Sequence, residues 1–152
     1  MTGLILAGED RLTLADILNH TDLSKARLAV LSACQTAITE FQRVPDEAIG
    51  LPAGFIQAGV RGVIAALWPV HDVSTALLMG FFYRYHLQDG LSPATALFRA
   101  QRRLRESTAD ELNLVSHFER RYQESGQTDK EAFGRMAYYR AHGDEKPFTH
   151  PY

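Results

Sequence analysis

An α/β fold is predicted for this 152-residue chain on three observations. Two apolar runs, Arg27-Leu28-Ala29-Val30-Leu31-Ser32 and Gly62-Val63-Ile64-Ala65-Ala66-Leu67-Trp68, are continuous rather than alternating, as strands covered on both faces are. Between them the apolar residues Ala48, Leu51, Phe55 and Ala58 follow a helical period that closes at Gly59. Strand, helix and strand in that order make a βαβ unit, whose strands pair in parallel.

The elements follow in order. Gly3-Leu4-Ile5-Leu6-Ala7 reads as a short strand, and Gly8-Glu9-Asp10 as a turn. Thr13 caps a helix over residues 14–18, with Asp16 three positions on as the reciprocal partner. The first buried strand ends at Ala33-Cys34, and the polar segment from Gln35 to Arg43 reads as a loop. Pro45 or Asp46 opens the central helix, and Pro69 stops the second strand. Asp72 suits an N-cap, followed by a stripe of Val73, Ala76, Leu77, Gly80 and Phe81. Ser92-Pro93 opens another helix, with Leu97, Gln101 and Leu104 on one face. From about Arg102 the composition turns polar. Thr108-Ala109-Asp110-Glu111 reads as a helix start, and a further helix covers residues 130–140. Residues 106–149 read as a polar helical extension within a single domain, 1–152.

Composition excludes several classes. Folding would bury about 69% of the unfolded chain's surface, enough for a core without staples. One cysteine leaves no internal disulfide framework and no cysteine-rich zinc site. A net charge of -2 gives no nucleic-acid footprint. The longest apolar run, Val63 to Val70, is too short to span a bilayer, and the opening residues lack the features of a secretory signal, so a cytoplasmic protein is expected. Neither Gly-x-Gly-x-x-Gly nor a Walker lysine is present, which argues against a nucleotide-binding domain. No metal and no cofactor is expected.

Chemistry points to Cys34. A lone cysteine is most often a small buried hydrophobe. This one falls where a strand stops, at the carboxyl edge of the expected sheet, where α/β folds hold their ligands. Gln35, Thr36 and a polar stretch follow it, and backbone N–H groups there could serve an oxyanion.

The segment Leu28-Ala29-Val30-Leu31-Ser32-Ala33-Cys34-Gln35-Thr36 resembles the nucleophile strand of CHAT domains, caspase-like domains often found beside tetratricopeptide repeats in bacteria. The resemblance continues in order through Gly50-Leu51-Pro52, Phe55-Ile56-Gln57-Ala58-Gly59, residues 63–70, Asp72, Ala76-Leu77-Leu78-Met79, Phe82-Tyr83 and Ala96-Leu97, and takes in Leu12-Thr13-Leu14-Ala15-Asp16-Ile17. It covers most of residues 3–105. It implies a caspase/hemoglobinase-like three-layer fold with a mostly parallel sheet, and a cysteine endopeptidase acting on a protein or peptide. Cys34 would be the nucleophile, forming an acyl-enzyme that water releases. Ser32 and the backbone around Cys34 would shape the primary specificity pocket. Trp68 would line the substrate cleft or belong to the core. Asp72 would hold a basic substrate side chain, or serve only as a helix cap.

Two departures accompany the likeness. Caspase-like sequences carry the catalytic histidine about 50 residues before the cysteine, followed by glycine. Here the only histidine ahead of Cys34 is His20, followed by Thr21; His142-Gly143 comes after the cysteine, in the wrong order. His71 is read as a loop residue, and His86 and His117 as surface residues of helices. His150-Pro151-Tyr152 resembles the tripeptide that opens the family's last segment, whose strand would follow. The expectation is a piece of a longer CHAT protein, truncated at both ends, inactive alone, and prone to self-association through open sheet edges. The alternative is a non-catalytic protein-interaction module in which Cys34 is incidental.

Overall fold

The structure is a computed structural model that describes residues 3–5, 10–20, 22–31, 50–66 and 70–149. They fall into two compact units, Met1–His71 and Asp72–Tyr152.

In the first unit, β1 (Gly3–Ile5) pairs antiparallel with β2 (Arg11–Thr13), Leu4 opposite Leu12. No expectation covered β2, because three residues are too few to show a period and the strand exists only through its partner. Helix α1 (Leu14–His20) follows directly and runs two residues past the expected end. Its capping box forms as read: the Asp16 N–H donates to Thr13 Oγ1 at 3.2 Å, and the Thr13 N–H donates to Asp16 Oδ2 at 2.9 Å.

The βαβ unit is present. β3 (Ala29–Leu31) and β4 (Val63–Ala65) pair in parallel, with Ala29 opposite Val63, Val30 opposite Ile64 and Leu31 opposite Ala65. Helix α2 (Leu51–Gln57) lies between them in the chain. The single helix expected through Ala48 and Leu51 does not cross Gly50, whose backbone is extended. Its carbonyl instead accepts from Ala53 and Gly54, so α2 starts afresh with Pro52 in the first turn, where a missing N–H costs nothing. Residues 45–49 lie outside the described residues. Ile17, Leu31 and Leu51 form the buried centre, packed by Leu12, Leu14, Phe55, Ala58, Val63 and Ala65. A side chain at Gly54 would collide with Leu14, so α1 and α2 approach closely there.

Gly59 ends α2 as the sequence indicates. Its N–H donates to the Ile56 carbonyl at 3.0 Å, and that of buried Val60 to Phe55 at 3.1 Å, which together make a Schellman motif. Gly59 has φ +101°, and a Cβ there would sit 2.9 Å from Ser24 Cα. Gly59→Ala should therefore cost at least about 1–2 kcal/mol from the left-handed backbone alone, with the Ser24 collision adding to it. A urea midpoint indistinguishable from that of the parent would contradict this.

The second unit is helical. Helix α3 (Asp72–Tyr83) continues into a π-helical turn, Arg84–Gln88, which nothing in the sequence announced. Helices α4 (Pro93–Glu106), α5 (Leu114–Glu124) and α6 (Lys130–Ala141) follow. Three expectations need correction. On α3, Val73, Leu77, Leu78 and Phe81 pack inward while Ala76 and Gly80 are exposed, because the stripe is centred one position off the expected one. On α4 the buried ridge is Ala96, Ala100 and Leu104; Leu97 is half-buried and Gln101 exposed, because small residues let the helix approach its neighbours. Thr108 and Glu111 do form a reciprocal capping box, but only one turn follows; Asn113 adopts a left-handed conformation and α5 begins at Leu114.

The start signal at α4 holds. Ser92 Oγ accepts from the Thr95 N–H as the sequence indicates. At α6 the cap is Asp129, which no expectation covered; its Oδ1 accepts from the Ala132 N–H at 2.9 Å. The core of this unit joins Leu104, Ala109, Leu112, Leu114, Phe118, Ala132, Met136 and Tyr139. The Phe118 and Tyr139 rings stack at 6.0 Å between centroids.

Candidate functional site

Parallel pairing puts Leu31 and Ala65 side by side at the carboxyl ends of β3 and β4. From Leu31 the chain leads into Ser32-Ala33-Cys34, and from Ala65 through Ala66 and Leu67 to Trp68. Carboxyl ends of parallel strands are where α/β sheets bind ligands. Leu31 is buried against Ile17 and Leu51, which anchors β3 immediately before the cysteine-bearing segment. Ser32, Cys34 and Trp68 themselves lie outside the described residues.

Asp72 is described, within the second unit. It is exposed and is the first helical residue of α3 rather than its N-cap, so its carboxylate sits in the first turn, where the helix dipole favours a negative charge. Its exposure leaves the carboxylate open to a cation.

The histidines divide by environment. His20 closes α1, and His71 is exposed just before α3. His86 and His117, expected at helix surfaces, are half-buried. The π-helical turn carries the His86 ring onto Phe82, with centroids 5.7 Å apart, and its Nδ1–H donates to the Leu91 carbonyl at 2.7 Å. The Phe82/His86 spacing of one helical turn was the available signal for that burial. His142 stacks on Tyr138 at 4.4 Å, with Nδ1 donating to the Tyr138 carbonyl, at the exposed C-terminal end of α6. His150 lies outside the described residues.

His117 has a shifted titration. Partial burial, then the charges of Arg120 and Arg121, push it below its ordinary value near 6.5. A depressed imidazole binds fewer protons in the folded chain than in the unfolded one, so stability is lost as pH falls below 6.5 and levels off beneath the folded value. In His117→Gln the decline in urea midpoint between pH 7 and pH 5 should be shallower than in the parent; equal slopes would rule the effect out.

Among the described residues no three or more His, Cys, Asp or Glu side chains gather as a metal site would require, and no helix is long and apolar enough to cross a membrane.

The ordered motifs, the βαβ unit and the segment leading out of Leu31 agree with a family model for the CHAT domain, which matches residues 1–152. The chain belongs to the CHAT domain family. CHAT domains are associated with caspase-like cysteine peptidase function. The mixed helix and sheet composition of this CHAT domain, with its small parallel sheet, is compatible with the α/β class. No curated protein and no solved structure matches the chain.

Proposed function

We propose that this CHAT domain is a caspase-like cysteine endopeptidase module with Cys34 as the nucleophile, on a caspase/hemoglobinase-type three-layer scaffold. The observation that supports the reading is the parallel register of β3 and β4, whose carboxyl ends at Leu31 and Ala65 form a sheet edge of the kind that binds ligands, with the family's cysteine motif following Leu31 in the chain. The Cys34 thiolate attacks a peptide carbonyl, the C–N bond breaks, and the amine leaves with a proton. Water then hydrolyses the thioester, returning the thiol and releasing a carboxylic acid. Ser32 and the adjoining backbone shape the primary pocket, Trp68 lines the cleft, and Asp72 pairs with a basic substrate side chain.

A general base is typically worth 10²–10⁴-fold, and His20-Thr21 lacks the family's His-Gly pattern, so the 152-residue chain by itself is inactive. The helices of residues 106–149 extend the same domain, a reading supported by the core they share with Leu104 of α4. A tetratricopeptide-repeat region, a cytoplasmic setting and self-association through sheet edges complete the proposal.

The test is covalent trapping. A peptidyl acyloxymethyl ketone ending in arginine is applied to the 152-residue chain and to the product of the same reading frame extended upstream to a His-Gly strand. Adduct mass on the Cys34 peptide of the longer product, absent in Cys34→Ala and weaker in Asp72→Asn, is expected. No adduct on Cys34 in the longer product overturns the peptidase reading in favour of an interaction module.

A further inference from the structure

Helix α4 turns a second face away from its packing. The ridge Ala96, Ala100 and Leu104 is buried, so the opposite ridge is Phe98, Arg102 and Arg105, at intervals of four and three residues. Phe98 is 60% exposed, Arg99 flanks the ridge, and Arg103 is exposed one step further round the helix. This one helix holds four arginines, no lysine and a single carboxylate, Glu106, which pairs with Arg102 at 2.9 Å. Among the described residues Arg99, Arg103 and Arg105 make no ion pair. The helix thus carries four positive charges against one negative within a chain whose net charge is -2.

We propose that this face docks an acidic segment of a partner protein, which also brings an apolar side chain to cover Phe98. An exposed aromatic ring set among arginines has the composition of an interface centre, where aromatics and arginine are enriched and lysine is depleted. Arginine's planar fork pairs two-point with carboxylates, which favours Asp and Glu as the facing groups. A nucleic acid fits poorly, because the ridge rises only about 10 Å over seven residues and an acidic chain repels a long polyanion.

The probe is a fluorescein-labelled dodecapeptide repeating Glu-Glu-Leu, read by anisotropy beside its Gln-Gln-Leu counterpart. The intact chain should bind the glutamate peptide, bind the glutamine peptide at least tenfold more weakly, and lose affinity several-fold from low to physiological salt. Phe98→Ala and the pair Arg102→Gln with Arg105→Gln should each weaken binding about tenfold with unchanged far-ultraviolet circular dichroism, while Arg120→Gln on α5 leaves it alone. Four results overturn the proposal. They are absence of binding, equal weakening by Arg120→Gln, tighter binding of an oligothymidylate of equal charge, and concentration-dependent self-association that Phe98→Ala abolishes.

Discussion

At pH 6.0 the thiol of Cys34 should react with iodoacetamide about 150-fold more slowly than at pH 8.5. Only the thiolate reacts, and a thiol of ordinary pKa near 8.5 is about half ionised at the higher pH and about 0.3% ionised at the lower. The measurement is unambiguous because the chain has one cysteine. The ratio, rather than the absolute rate, carries the meaning, since access slows both arms alike. A caspase-like cysteine beside an imidazole would react at pH 6.0 within a few-fold of its rate at pH 8.5. That outcome would place an activating histidine within these 152 residues and remove the physical reason for inactivity.

Phe118→Ala should destabilise the second unit by about 3–5 kcal/mol, since it removes a large buried ring that its neighbours cannot fully replace. Phe118 is 2% exposed, stacks on Tyr139, and shares its core with Leu114, Ala132 and Met136. With a urea dependence of about 2 kcal/mol/M the midpoint would drop by about 2 M. Tyr83, Tyr85, Tyr122, Tyr138 and Tyr139 all belong to the second unit and report on it. The tyrosine circular dichroism should therefore show the full drop. A midpoint within 0.5 M of the parent's would mean that the α5–α6 core contributes far less than its burial indicates.

Elements that announce themselves through local chemistry were legible in advance. The Thr13/Asp16 box, the stop at Gly59 and the Ser92 start each use side chains or backbone within five residues, and all form. What escaped depends on distant partners. β2 exists by pairing with β1, and the buried ridges of α3 and α4 are set by neighbours that the sequence does not name. The Thr108/Glu111 box shows the limit of local reasoning, since its hydrogen bonds form and the helix still waits for Leu114. Of the candidate site, the strand that precedes its cysteine was legible. Its specificity residues were reached only through the family likeness, because a serine, a tryptophan and an aspartate at those spacings have no chemistry that demands one another.

The chain leaves at Ala109-Asp110 and returns at Gly143 to Glu145 through two backbone bonds, Ala109 N–H to the Glu145 carbonyl at 2.8 Å and Asp110 N–H to that of Gly143 at 3.0 Å. Gly143 lies so close to the Asp110 carboxylate that a methyl group there would displace it. Everything from Glu111 to His142 is thus an excursion tied off at its neck, with the cost of closing that long loop met once, at the knot. Lengthening the bend around Gly126 leaves the knot untouched, so natural variation in size should gather at that far tip and spare the two joined ends.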